Sequence, residues 1–311
     1  MKVAVLGAGA MGSLYGGLLA EAGNEVVLVD VWRDQVDAVN ASGLSIEGAG
    51  GERRVRGIRA VSDASEAGTA DLILVFVKAT ATEGAMRGAL PMVGGATTVL
   101  TLQNGLGNVE KLCAVVPADR VVAGTTGHGA TLLGPGRIRH AGVGDTIVGE
   151  LDGNRSARVE SLAAMFAGAG MTAQVSTNVI GLIWTKLTVN VGINALTAVT
   201  GLKNGRLASF PEAEALMRAA VDEACSVARR KGIQLEIDSP FEHAMSVAVK
   251  TGANRSSMLQ DILAGRQTEI AVINGAIVEE GEKLGIPTPV NAVLTNLVLI
   301  RQQTYGEAFA V

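Results

Sequence analysis

Lys186, Asn190 and Asn194 stand four residues apart in Lys-Leu-Thr-Val-Asn-Val-Gly-Ile-Asn-Ala-Leu, a run that is otherwise largely apolar. On a helix, positions i, i+4 and i+8 share a face, so an ammonium and two carboxamides form one stripe. The other faces carry Leu187, Val189, Val191, Ile193 and Leu196. A helix apolar nearly all round is a buried one, and its polar groups need partners. Two readings are open for the row: polar bonding across a domain interface, or contact with a ligand. The second has definite chemistry. Burial disfavours the charged form of a lysine and lowers its pKa, which makes it a better proton donor. Hydride addition to a ketone builds negative charge on the carbonyl oxygen, and an adjacent ammonium both protonates and stabilises that oxygen. Carboxamides orient hydroxyl and carbonyl groups without adding charge.

A hydride donor has its own signature near the N-terminus. Gly7-Ala8-Gly9-Ala10-Met11-Gly12 is GxGxxG, a weak pattern by itself in a chain with 40 glycines. Here it directly follows a strand-like run and opens a helical one, the context of a dinucleotide-binding turn. The first glycine makes the tight turn, the second admits a pyrophosphate, and the third lets helix and strand pack closely. The helix N-terminus offers N–H groups and a positive dipole end to the phosphates. Asp30 ends the second strand-like run, where a carboxylate accepts from the adenosine ribose hydroxyls and repels a 2′-phosphate. That favours NAD; Arg33, three residues on, could instead pair with the phosphate of NADP. Trp32 either covers the adenine or caps the sheet. Lys78 and Asn104 each follow a strand, at the sheet edge where ligands of α/β proteins bind. The bland alternatives are a solvated loop lysine and an Asn-Gly turn.

These residues presuppose elements that hold them. Strand patterns at 3–6, 25–30, 72–77, 97–102 and 120–126 alternate with helical ones at 11–22, 33–40 and about 108–115. Continuous apolar runs such as 72–77 suit strands buried on both faces, and the alternation implies parallel strands with right-handed crossovers. Residues 131–149 read as a small antiparallel addition, and 47–57 as an exposed hairpin. After about 178 the strand signals cease, and helical patterns cover 178–200, 212–231, 266–284 and 289–302. Ser209 offers a capping hydroxyl ahead of Pro211 and its acidic first turn. The expected organisation is an N-terminal α/β Rossmann-like dinucleotide-binding domain, 1–177, and an all-α substrate-binding and catalytic domain, 178–311.

Composition narrows the function. The 311 residues carry a net charge of -4, which gives no basic footprint for nucleic acid. Two cysteines make neither a disulfide framework nor a zinc site. Glycines interrupt the apolar N-terminus, which argues against a secretory signal, and polar residues punctuate every apolar run before it reaches the ~18 residues of a membrane span. A cytoplasmic protein without membrane or nucleic-acid partners is expected, and the apolar surplus at 289–300 makes a homodimer plausible. Among the remaining polar residues, His128 lies in a Gly-rich segment and could approach the site. Ser257 is either a donor to a substrate carboxylate or a helix cap. Glu269 opens an apolar helix and could accept from the ammonium or from the cofactor. Asp261 and Arg266 read as structural contacts.

Taken together, the chain resembles the ketopantoate reductase (2-dehydropantoate 2-reductase) family through essentially its whole length. The carriers are the glycine motif at 7–12, Lys78, Gln-Asn-Gly-Leu-Gly at 103–107 and the Lys-x₃-Asn-x₃-Asn row. Ser-Ser-Met-Leu-Gln-Asp at 256–261 and Thr-Glu-Ile-x₃-Asn-Gly at 268–275 complete the set. The resemblance implies a helical domain like the C-terminal domain of 6-phosphogluconate dehydrogenase, and Lys186 as the proton donor. It implies substrate contacts at Asn104, Asn190, Asn194, Asn204 and Ser257. Cofactor contacts fall at Asn104, Ala130 and Glu269, and Glu269 also reaches the lysine or the substrate. The implied reaction is reduction of 2-dehydropantoate to (R)-pantoate with NADPH, in pantothenate biosynthesis. Asp30 departs from the basic residue usual near the end of the second strand. It leaves open an NAD-dependent D-2-hydroxyacid dehydrogenase acting on another bulky 2-keto acid. A non-catalytic dinucleotide sensor is the alternative of another class, and the lysine–asparagine row speaks against it.

Overall fold

In the first half of the chain, alternate side chains of each central strand face opposite sides of one sheet. Val3 and Val5 enter one core with Leu14, Tyr15 and Leu19, while Ala4 and Leu6 enter another with Ile73, Val75 and Val99. Both faces of the sheet are therefore covered, which explains why its strands are continuous apolar runs. The computed structural model describes residues 1–305. Its first elements are β1 (Lys2–Leu6), α1 (Ala10–Glu21), β2 (Glu25–Val29), α2 (Arg33–Ser42), β3 (Leu44–Gly48), β4 (Arg53–Val55) and β5 (Arg59–Val61). Then come β6 (Ala70–Val75), α3 (Thr82–Gly88), β7 (Val93–Thr101), α4 (Asn108–Cys113), β8 (Val121–Thr126), β9 (Gly129–Gly134) and β10 (Arg137–Gly142). β11 (Thr146–Glu150), α5 (Ala157–Gly168) and β12 (Ala173–Val175) complete the α/β part.

The large sheet has the order β12-β11-β8-β7-β6-β1-β2-β5. Its pairings are parallel except β11 against β8. The chain runs outward from β1 to β2 and β5, then returns to place β6 on the other side of β1. The strand order reverses between β1 and β6, and ligands of open α/β sheets bind at the carboxyl ends beside such a reversal. A second sheet has the order β4-β3-β10-β9. Residues 131–149 are thus divided: β9 and β10 form a hairpin in the small sheet, whereas β11 joins the large one. β3 and β4 form the hairpin expected around 47–57.

The helical part comprises α6 (Val179–Thr200), α7 (Pro211–Arg230), α8 (Pro240–Lys250), α9 (Ser257–Leu263), α10 (Asn274–Leu284) and α11 (Pro289–Gln303). Its core is aliphatic, with Leu187, Val191, Met217, Val221, Ile277 and Val298 fully or almost fully buried. The helix expected across 266–284 is broken. Ile270–Val272 makes a single 3₁₀ turn, and Ile273, at φ -107° and ψ -95°, leaves helical geometry before α10 begins. Three of the four residues there, Ile270, Val272 and Ile273, are β-branched, which lowers helix propensity slightly. Ser209 is not the cap of α7: Phe210 holds that position without a side-chain bond, and Pro211, Glu212 and Glu214 supply the start. α3, α5, α8 and α9 lie where the sequence pattern indicated no helix.

The chain divides into two units, one of Met1–Gln103 with Asn108–Val179, the other of Asn104–Gly107 with the residues from Ile180 on. α6 has 22 residues and a mean hydropathy of 1.4, which satisfies a membrane-spanning test by length and composition, but 72% of that window is buried within the protein. Such burial is that of a core helix.

Candidate functional site

The glycine loop leaves β1 at the point of strand reversal. Gly7 has φ +94°, and a Cβ there would lie 2.7 Å from the Val77 nitrogen and 2.9 Å from the Phe76 carbonyl carbon. Only glycine lets this turn abut the chain leaving β6. A Cβ on Gly12 would sit 1.8 Å from the Gly7 oxygen, so the third glycine is required for helix α1 to begin where it does. Gly9 differs: a Cβ there would meet nothing within 4 Å. The protein's own packing does not demand glycine at that position, whereas a pyrophosphate approaching the backbone would. Gly9 caps α1 without a side-chain bond. The helix start at Ala10, Met11 and Gly12 therefore presents its first-turn N–H groups to an anion. These features fit a dinucleotide.

Two side chains that sequence patterns did not single out, Ser13 and Gln35, shape this loop, and Tyr15 packs nearby in the core. Ser13 Oγ donates to the Ala8 oxygen at 2.8 Å, and Gln35 Nε2 donates to the same oxygen at 3.0 Å. Gln35 is fully buried, and its Oε1 accepts from the Gly136 N–H at 2.7 Å, which ties the loop to the small sheet. Tyr15 is also fully buried; its hydroxyl pairs with Thr146 Oγ1 at 2.5 Å, and desolvation pushes its pKa up to about 12. Asp30 follows β2 and is half-buried. One carboxylate oxygen accepts from the Ala8 N–H at 2.6 Å and the other from the Trp32 N–H at 2.9 Å. The acid is thus fixed against the glycine loop. Trp32 itself precedes α2 and is 37% exposed.

Lys78 is exposed and follows β6 on a tight arch, with the Ala81 N–H donating to the Lys78 oxygen at 2.8 Å. Ala130 lies on β9, half-buried and opposite His140 in register. His128, which could have approached the site, does not stand open to a ligand. It is buried with His140, ring nitrogens 3.0 Å apart, and its ring meets Tyr15 edge-on at 5.9 Å. Desolvation lowers the pKa of both histidines, so the pair rests uncharged near neutrality.

In the helical unit, Asn194 is buried, and Asn190 and Lys186 are half-buried on α6. Desolvation lowers the Lys186 pKa from 10.5 to about 8, while the Glu269 carboxylate acts in the opposite direction. Structure thus couples Lys186 and Glu269 electrostatically. Glu269 precedes the 3₁₀ turn at Ile270–Val272 rather than opening a long helix. Asn204 is buried; its amide donates to Thr251 Oγ1 at 2.9 Å, and its Oδ1 has no hydrogen-bond partner among the described residues. An orphaned buried acceptor is costly unless a ligand donor reaches it. Ser257 is exposed at the first position of α9, and the capping role belongs to Ser256, whose hydroxyl accepts from the Leu259 N–H at 3.0 Å. Asp261 and Arg266 form the expected structural ion pair at 3.0 Å.

Asn104 opens the short segment Asn104–Gly107. There the Leu106 N–H donates to the Val272 oxygen at 2.9 Å, and Gly105 has φ +82°. Sequence patterns also missed what holds α6 in place. Asn274, fully buried, donates to the Val191 oxygen at 3.1 Å and to Asn291 Oδ1 at 3.0 Å. Asn291, also fully buried, donates to the Ala220 oxygen and to Glu223. No local pattern announces such bonds, because the partners are tens of residues apart.

The sheet order and the glycine loop define a dinucleotide-binding oxidoreductase of Rossmann type. Residues 3–153 match the family model described as ketopantoate reductase PanE/ApbA, and residues 178–302 match the model of its C-terminal part. A 2-dehydropantoate 2-reductase of Halobacterium salinarum is 41% identical over 303 residues, covering 97% of this chain and 99% of that one. The crystal structure of a PanE/ApbA family ketopantoate reductase from Ralstonia eutropha is similar with TM-score 0.91 and 38% identity, covering 98% of this chain and all of that one. The ternary structure of D-mandelate dehydrogenase with NADH and anilino(oxo)acetate is similar with TM-score 0.93 and 32% identity, covering 98% and 99%. The chain belongs to the ketopantoate reductase family.

Proposed function

We propose that this protein reduces 2-dehydropantoate to (R)-pantoate with NAD(P)H, a step of pantothenate biosynthesis, and that Lys186 is its proton donor. The observation that carries the reading is a desolvated lysine with its pKa lowered to about 8, on a helix face shared with Asn190 and Asn194. When bound, the dinucleotide would supply the hydride for the keto carbon. Lys186 Nζ gives its proton to the keto oxygen as charge develops there, leaving a neutral amine that solvent reprotonates. Glu269 favours the ammonium form and so keeps the donor loaded between turnovers. Asn104, Asn190, Asn194, Asn204 and Ser257 are the substrate contacts in this reading. The partnerless Oδ1 of Asn204 suits a substrate hydroxyl donor. Gly7, Ala8, Gly9, Ala10, Met11, Gly12, Asp30, Lys78, Asn104, Ala130 and Glu269 are the cofactor contacts. A cytoplasmic homodimer belongs to the same reading. Val293, Leu297 and Ile300, exposed along one face of α11, support the second copy.

One observation favours a second reading, an NAD-dependent D-2-hydroxyacid dehydrogenase acting on another 2-keto acid. The Asp30 carboxylate, held in place by two backbone N–H groups, repels a 2′-phosphate and suits NADH. The test is kcat/KM for ketopantoate and for branched and aromatic 2-keto acids, with NADH and NADPH side by side. Ketopantoate as the best substrate supports the first reading. Another 2-keto acid preferred by about tenfold selects the second. Cofactor binding without oxidation by any 2-keto acid refutes both.

A further inference from the structure

Lys78 is held by a clamp that reaches it from two sides. The peptide before it is fixed through the Val77 oxygen, which accepts from Gln103 Nε2 at 2.6 Å. One residue further on, the Ala79–Thr80 peptide is fixed through the Ala79 oxygen, which accepts from Lys111 Nζ at 2.8 Å. Gln103 is saturated. Its Nε2 also donates to Thr82 Oγ1 at 2.9 Å, and its Oε1 accepts from Thr101 Oγ1 at 2.8 Å. Thr82 is fully buried and donates onward to Asn108 Oδ1 at 3.1 Å. The same Val77 backbone is the surface against which Gly7 turns, with no room for a Cβ. Glycine loop, lysine arch and Gln103 are therefore one contiguous block of backbone and amide. An amide that uses both donors and its acceptor fixes the peptide planes around it more firmly than a single hydrogen bond can.

We propose that Gln103 is a positioning residue for Lys78: its amide orients the arch so that the lysine meets the bound dinucleotide, and Lys111 completes the hold from the other side. This rests on the reading that Lys78 contacts the cofactor. Gln103 touches neither reacting atom in this scheme and acts only through the arch.

The test is a double-mutant cycle on cofactor affinity rather than on turnover. Gln103→Met, Lys78→Ala and the double variant are titrated with NADH and NADPH by nicotinamide fluorescence, and their Tm values are recorded. The expected result is a roughly fivefold rise in Kd for each single variant, the size of one hydrogen bond's net worth. The double variant is expected to bind no more weakly than Lys78→Ala alone, because Gln103 has nothing left to position. The Tm loss from Gln103→Met should be equal in both backgrounds, which separates positioning from general stability. Effects on Kd that multiply, or an unchanged Kd for Gln103→Met beside a weakened Lys78→Ala, overturn the positioning role and leave the cofactor reading of Lys78 intact. A wild-type Kd for Lys78→Ala overturns both. Should Gln103→Met not fold, Lys111→Met in the same cycle decides between these outcomes.

Discussion

Replacing Lys186 by Met should stabilise the protein and abolish most of its turnover, and the two effects have one cause. The ammonium pKa falls from 10.5 to about 8 on folding because its surroundings desolvate it. At 1.36 kcal/mol per pH unit, keeping that charge in place costs roughly 3 kcal/mol at neutral pH. Met fills nearly the same volume without charge and removes the cost, less whatever Glu269 loses with its cation. The pH dependence gives the sign. The folded state holds this proton more weakly than the unfolded chain, so unfolding takes up a proton between about pH 8 and 10.5. Wild-type stability therefore rises with pH across that window, and below pH 8 the full cost stands. The advantage of Lys186→Met should be largest near pH 7 and shrink to nothing near pH 10.5. Urea denaturation of both proteins at pH 7, 9 and 10.5 measures it. In steady-state reduction of ketopantoate, loss of the proton donor should lower kcat by about 10²–10⁴. A variant that is destabilised at pH 7 with no pH trend refutes the desolvation argument, and near-normal kcat refutes the assignment of the donor.

In the proposed mechanism the acid form of Lys186 donates the proton, so kcat/KM should be flat at neutral pH and fall above about pH 8; Glu269→Gln removes the influence that raises this pKa and should move the falling limb to lower pH. Gly9→Ala should leave Tm within about a degree or two, since its Cβ meets nothing within 4 Å, yet weaken dinucleotide binding at least about tenfold by occupying the phosphate approach. Gly12→Ala should instead disrupt the loop, because its Cβ falls 1.8 Å from the Gly7 oxygen, and circular dichroism melts of the two variants separate the cases. Asp30→Asn keeps only one acceptor oxygen for the two N–H groups of Ala8 and Trp32. It should weaken NADH by about tenfold and lower Tm together, and an unchanged Kd for NADH refutes the ribose-side role.

What the sequence made legible follows the range over which each signal acts. The glycine motif announces itself because turn, helix start and close packing are local demands, and Gly7 and Gly12 meet them through clashes with atoms nearby in the fold. The lysine–asparagine row is legible because helical periodicity places three polar groups on one face before any partner is known. Gln35, Gln103, Asn274 and Asn291 were not legible as structural groups. Each is a neutral amide whose partners lie up to 101 residues away, and an amide on a helix or loop looks the same whether solvated or saturated. The partner of His128 was hidden for the same reason: nothing near it in sequence points to His140, twelve residues on across a hairpin. The break at Ile273 was hidden because apolar periodicity continues through it while the backbone does not.

Asp30 lies between these cases. Its place at the end of β2 is local and legible, and on that ground it is a candidate cofactor-reading acid. Only the structure adds that both carboxylate oxygens already accept N–H groups of the chain. A carboxylate saturated on one side still has lone pairs for ribose hydroxyls, since each oxygen accepts more than one bond. Its charge, however, is now tied to the geometry of the glycine loop, through Ala8, whose carbonyl is in turn held by Ser13 and Gln35. Selection between NADH and NADPH is therefore not a property of one side chain that can be exchanged freely. In the proposed binding mode, a substitution of Asp30 that admits a 2′-phosphate should also loosen the turn that would receive the pyrophosphate, so a gain for one cofactor is expected against a loss common to both.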